Sequence, residues 1–208
     1  MIEFEAIKRK QLLEAGRDLC HLQGPVLLSA ERVAAEAHVS KRTLYKYFKD
    51  RQQFIAAIVD HDAEQWREWF FNAVSERKAC SDVALSSFYD ILNLWVSSED
   101  FQGVLFARAA LAYPPKMPTC TARVVERHVG LLREFIEDSA QAAGVKKRGQ
   151  WVDKLVFLVL VILSDSFTSM PGNKAQGGGQ MRQAALALLR DALDRLYEPQ
   201  TTRKNEQR

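Results

Sequence analysis

The sequence predicts an all-α fold in two parts, a small N-terminal unit of three helices and a larger helical domain behind it. Apolar residues recur at spacings of three and four along most of the chain, and no stretch keeps the period of two that a half-buried strand needs. Two short segments between residues 29 and 51 each open on a serine, whose side-chain oxygen satisfies an unpaired N–H in a helix's first turn. Glycine and proline then divide the remaining chain into lengths suited to helices.

A first helix is expected over 4–22, with Phe4, Ile7, Leu12, Ala15 and Leu19 along one side and Gly24-Pro25 as its stop. Ser29 starts a short helix reaching about residue 37, and Ser40 starts another that ends near Tyr47. A long helix follows over 50–78, with Phe54, Ile55, Ile58, Val59, Trp66, Phe70, Ala73 and Val74 at helical spacing. Further segments are expected near 82–98, 102–113, 119–144, 149–169 and 179–197. The breaks between them are Ser97-Ser98, Pro114-Pro115 with Pro118, Gly144 and the Gly/Pro-rich stretch 171–179. The polar residues from Glu198 onward are expected to fray. Domain boundaries follow at 1–50, 51–197 and a flexible tail over 198–208.

The chain has 208 residues, 47% of them hydrophobic and 26% charged, a balance that builds a packed core and is wrong for a disordered protein. Its longest apolar run, 155–163, is far short of the ~20 residues that span a bilayer, so no membrane partner is expected. The start, MIEFEAIKRK, carries acids and no apolar stretch, unlike a secretory signal. Cys20, Cys80 and Cys120 are dispersed and odd in number, which suits a reducing cytoplasm and small buried hydrophobes. A redox role for Cys80 or Cys120 stays open.

Charge is uneven. Residues 1–51 hold ten Lys/Arg against seven Asp/Glu, whereas 52–208 hold nineteen of each. Between His38 and Arg51 there are five basic residues and one acid. A basic patch on a neutral body is the footprint of a nucleic-acid contact.

The patch falls on two short helices joined by a three-residue turn, the helix-turn-helix arrangement. Val33, Ala34, Ala37, Val39, Leu44 and Phe48 supply its inside, which leaves Lys41, Arg42, Thr43, Tyr45, Lys46 and Tyr47 pointing outward. Arg and Lys reach guanine O6 and N7, and Thr reaches a base or the thymine methyl. Tyrosine hydroxyls and the N–H groups at a helix start take phosphates. Ser29, Arg32 and Arg51 complete the set of candidate contacts to double-stranded DNA.

The N-terminal region resembles the tetracycline-repressor (TetR) family. Members show Ile/Leu-x-x-Ala-Ala-x-x-Leu-Phe-x-x-x-Gly, matched here by Leu12, Ala15, Gly16, Leu19, Cys20 and Gly24. They then show Ile-Ala-x-x-Ala-Gly-Val-Ser-x-x-x-Leu-Tyr-x-His/Tyr-Phe-x-x-Lys. Val33, Ala34, Ala37, His38, Val39, Ser40, Leu44, Tyr45, Tyr47, Phe48 and Arg51 stand in those places. The resemblance implies that Lys41, Arg42, Thr43, Tyr45 and Lys46 approach bases or phosphates, and that Tyr47 and Arg51 take phosphates. It also implies a homodimer, a palindromic operator, a small-molecule effector and, most often, repression. Gly16 and Cys20 replace an Ala and a Phe, which weakens the expected packing. His38 replaces the usual turn glycine, so it is either strained at positive φ or the turn differs. Farther on, Phe101, Gly103 and Phe106 are similar to the Phe-x-Gly-Cys-x-Phe stretch of one subgroup, with Val104 in place of the Cys.

In the larger domain Trp66, Trp69, Phe70, Phe88, Trp95, Phe106 and Tyr113 suit an apolar pocket, with Arg108, His128 and Asp165 as candidate polar anchors. Leu186, Leu189, Leu193 and Leu196 form a narrow stripe, which packs within the chain or, as the resemblance implies, forms half of a four-helix bundle across a two-fold axis. No cofactor or catalysis is expected. Asp60-His61-Asp62-x-Glu64 and Glu126-x-His128 lack the i,i+4 His pair of a metal site. A helical adaptor that binds only protein is the alternative; it explains the aromatics and the bundle but not the basic patch.

Overall fold

The computed structural model describes residues 2–24, 28–78, 84–98, 101–112, 117–142, 144–145, 149–164 and 177–197. Cys80, Tyr113, Asp165, the 171–176 part of the Gly/Pro-rich stretch and the tail 198–208 lie outside the described residues. Those described form nine helices and no strand: α1 Ile2–Gln23, α2 Ala30–Glu36, α3 Lys41–Tyr47, α4 Arg51–Lys78, α5 Ala84–Val96, α6 Leu105–Ala112, α7 Thr119–Ala142, α8 Gln150–Ser164 and α9 Gly177–Tyr197.

Helix α1 buries Leu12, Leu13, Ala15, Leu19 and Cys20 and ends where Gly24 takes φ 79° and donates its N–H to the Cys20 carbonyl at 2.9 Å. Ile7, expected on the buried side, is half exposed. Five residues before Leu12 it has turned about 140° round the helix, away from the apolar face. Gly16 tightens the packing rather than weakening it. A Cβ there would lie 2.5 Å from Ile58 Cδ1 and 3.1 Å from Phe54 Cζ, so α4 fills the space that alanine would take. We expect Gly16→Val to cost about 1–3 kcal/mol through overpacking, seen as a lower urea midpoint with unchanged slope.

The 28-residue α4 begins against α1 and continues into the larger domain, burying Phe54, Ile55, Ile58, Val59, Ala63, Trp66, Phe70 and Val74 along its length. There it packs against α5, α6 and α7, while α8 packs between α6, α7 and α9. Gly103, at φ 76°, brings the chain round so that Val104 N–H donates to the Leu163 carbonyl at 2.8 Å, pinning the start of α6 to the end of α8.

Helix α9 differs in phase from the expected dimer stripe. Leu186, Leu189 and Leu193 are all buried inside the chain's own core. Among the described side chains, the large apolar ones that α8 and α9 expose are instead Phe157 and Leu188, at 57% and 55%.

Candidate functional site

Helices α2 and α3 are short, so their ends decide whether they form. Ser29 N-caps α2 by accepting from Arg32 N at 3.1 Å, and Ser40 N-caps α3 by accepting from Thr43 N at 3.1 Å. The turn between them is a Schellman closure. His38 N donates to the Ala35 carbonyl at 3.1 Å and Val39 N to the Ala34 carbonyl at 2.9 Å. That geometry requires a left-handed residue, and His38 takes it at φ 53°. His38→Gly should therefore stabilise the chain by about 0.5–1 kcal/mol, read as a higher melting temperature. Val33, Ala34, Leu44 and Phe48 fill the interior between the helices, and the Phe48 ring meets Phe54 at 4.7 Å.

With that face buried, Lys41, Arg42, Tyr45 and Lys46 are exposed on α3, while Thr43 and Tyr47 are half-buried. Two of the lysines are already paired: Lys41 Nζ donates to Glu31 of α2, and Lys46 Nζ donates to Glu5 of α1. Each pair raises its lysine's pKa, and Lys41 lowers that of Glu31, so both lysines and Glu31 stay charged near neutrality. Ion pairs this exposed are readily exchanged for phosphate. The guanidinium of Arg42 makes no such bond with the described residues. Tyr47 packs against the core with Lys46 Nζ 5.7 Å above its ring. Arg32 Nη1 donates to Gln23 Oε1 at 2.5 Å, and Arg51 Nε donates to the Leu28 carbonyl at 3.2 Å, so both help to place α2. Lys49, exposed just after α3, extends the basic face and was signalled only by the local charge count.

The aromatic residues gather around Trp66. Its ring lies 5.1 Å from Phe70, 6.2 Å from Trp95 and 5.9 Å from Phe106, and Phe70 meets Phe88 edge-on at 5.2 Å. Trp69 is 48% exposed and touches Trp95 from outside. The buried Trp66 Nε1 has no hydrogen-bond partner among the described residues. Two of the three candidate anchors, Arg108 and His128, are already held by protein. Arg108 donates to the carbonyls of Ser164 at 2.9 Å, His21 at 3.5 Å and Gln102. Buried His128 meets Asp60 Oδ1 at 2.7 Å through Nε2, with Arg127 on the same carboxylate. Burial, then the Arg127 and Arg67 guanidinia, push the His128 pKa down to about 4, so the neutral ring donates to Asp60.

The joining role of buried Asp62 escaped the sequence reading, whereas buried Cys20 is the small core residue expected. Asp62 accepts from His21 Nε2 at 2.8 Å and from Leu105 N at 2.8 Å, joining α1, α4 and α6. No spacing rule links positions 21, 62 and 105. Cys20 is an inert core residue, its thiol pushed up to about 12 by burial. Among the described residues no group of three His, Cys, Asp or Glu side chains gathers as a metal site, and no helix is long and apolar enough to cross a membrane.

Residues 12–58 match the model of the bacterial regulatory proteins, tetR family, and that stretch takes in both short helices and their caps. The N-terminal domain is a TetR-family domain. No curated protein matches the chain in sequence. In structure it is similar to Escherichia coli NemR in its reduced form, at 14% identity and TM-score 0.62, over 89% of this chain and 96% of NemR. A TetR-family regulator from Streptomyces coelicolor aligns at 18% identity and TM-score 0.63, over 92% and 96%. AibR, solved with isovaleryl coenzyme A and operator DNA, aligns at 16% and TM-score 0.59, over 88% and 97%. The whole chain thus has a TetR-like fold: an N-terminal helix-turn-helix domain and a helical C-terminal domain.

Proposed function

We propose that the protein is a dimeric TetR-family repressor that holds a palindromic operator with two copies of α3 and releases it when an apolar or aromatic effector enters the larger domain. The observation that carries the reading is the α2–α3 pair, capped at both serines, with Lys41, Arg42, Tyr45 and Lys46 presented on one exposed stretch of the second helix. Ser29, Arg32, Thr43, Tyr47 and Arg51 set or extend that face. An operator complex of a protein with this fold, AibR, supports the same role here.

The effector is assigned to the ring cluster of Trp66, Phe70, Phe88, Trp95 and Phe106. An unpartnered indole N–H inside an apolar cluster favours a ligand that brings a hydrogen-bond acceptor among the rings. A titration of indole fluorescence against a panel of apolar carboxylates, acyl thioesters and aromatics tests this, because a ligand at Trp66 changes the emission and Trp66→Phe removes the change. Dimerisation is assigned to α8 and α9, which expose Phe157 and Leu188.

The experiment that tests the function is selection of bound sites from a random duplex pool, followed by a salt series on the selected sequence. We expect near-palindromic sites whose half-sites lie about one helical turn apart or somewhat more, with affinity falling steeply as salt rises. An enriched pool without symmetry, or binding indifferent to salt, would refute it.

A further inference from the structure

We infer that Asp62 is a latch through which movement of α6 reaches the DNA-binding head; the inference rests on the effector-responsive reading above and names the residues that transmit the response. Asp62 sits midway along α4 and is 8% exposed. One carboxylate oxygen takes the Leu105 N–H, the first amide of α6, at 2.8 Å. The other takes His21 Nε2, in the last turn of α1, also at 2.8 Å. Facing a carboxylate, Nε2 is the donor, and the buried Nδ1 has no partner among the described residues.

A second tie runs beside the first. Arg108, one turn along α6, donates to the His21 carbonyl at 3.5 Å, to the Ser164 carbonyl at the end of α8 at 2.9 Å, and to the Gln102 carbonyl. The first turn of α6 therefore holds the end of α1 through a side chain and through a backbone carbonyl. From there the path continues into the helix-turn-helix: two residues after His21, Gln23 Oε1 accepts from Arg32 Nη1 of α2 at 2.5 Å.

The other end of the path lies in the aromatic cluster. Phe106 follows Leu105 directly, and its ring is 5.9 Å from Trp66 and 5.6 Å from His128. A ligand that parts Trp66 from Phe106 displaces the turn of α6 whose amide Asp62 holds. A buried carboxylate that loses one of two donors keeps its charge with too little compensation, so the two bonds tend to form and break together. That coupling makes the node a two-position device rather than a soft spring.

The test uses the full chain and two duplexes at one salt concentration, the complete palindromic operator and a single half-site. Asp62→Asn keeps the acceptor for Leu105 while opposing an amide to the His21 N–H. Arg108→Gln weakens the parallel tie from a half-buried position in the other domain, and serves if the first variant does not fold. Each should lower affinity for the complete operator by about tenfold, because the spacing of the two heads is no longer held. Affinity for the half-site, which is indifferent to spacing, should not change. Equal losses on both duplexes would mean ordinary damage to the head and would overturn the latch, as would no loss on either. A wild-type chain that binds neither duplex would overturn the DNA-binding reading and the latch with it.

Discussion

Arg42→Ala is expected to lower affinity for the selected operator by about 1–3 kcal/mol per half-site and to relax one base position in each. The residue occupies the first turn of α3, the end of a recognition helix that reaches base edges, and Ser40 fixes the backbone there by capping. Its guanidinium is exposed and makes no ion pair among the described residues, so no internal bond has to be exchanged when it meets guanine. A two-fold assembly loses the contact twice, and the free-energy cost doubles.

The control for this result is a phosphate contact. Arg51 is a poor choice, since Arg51→Ala also removes the donor to the Leu28 carbonyl and disturbs the approach to α2. Lys46 is better, because its ion pair with Glu5 is open to solvent, the two side chains being 61% and 46% exposed. Lys46→Ala should weaken operator and scrambled duplex alike and flatten the salt dependence by about two units for the dimer, one per contact. Equal losses of Arg42→Ala on both duplexes would remove Arg42 from base reading. Unchanged binding by both variants would refute the helix-turn-helix assignment.

What the sequence made legible here is what depends on near neighbours along the chain. Ser29 and Ser40 precede their helices by one residue, and their caps are closed three residues on. The strain at His38 follows from its place in a three-residue turn, and the structure chose the left-handed alternative. The pairings that bias the site were illegible because they join distant positions: Lys46 with Glu5, Asp62 with His21, Arg108 with the Ser164 carbonyl. Arg108 and His128 read as ligand anchors because a charged or titratable residue among aromatics usually answers something. What they answer is a row of carbonyls and a carboxylate of the protein itself. Gly16 misled in the opposite sense, since only the position of Ile58 shows what occupies the missing methyl's place.

The phase of α9 gives the second large effect. Leu188 and Leu189 are adjacent in sequence, yet Leu188 is 55% exposed and Leu189 is 1% exposed. One step along a helix is about 100° of rotation, enough to move a side chain from solvent to core. The spacing of Leu186, Leu189 and Leu193 identifies an apolar face but not the partner it meets, and here it meets the chain's own α8. Leu189→Arg should therefore place an unpaired charge in the core and destabilise the fold by about 3–5 kcal/mol, appearing as insoluble protein or a large drop in melting temperature. Leu188→Arg should leave the monomer's stability within about 0.5 kcal/mol. It lies on a helix face with Ala184 and Ala187 exposed nearby, small enough for a second helix to approach closely. At a two-fold interface the substitution occurs twice, so two arginines would be placed in one apolar seam. The expected product is a folded monomer by sedimentation, with operator binding reduced to that of a single head. A folded dimer carrying Leu188→Arg would move the interface elsewhere. A folded monomer carrying Leu189→Arg would restore the stripe reading and contradict the packing of α9 on α8.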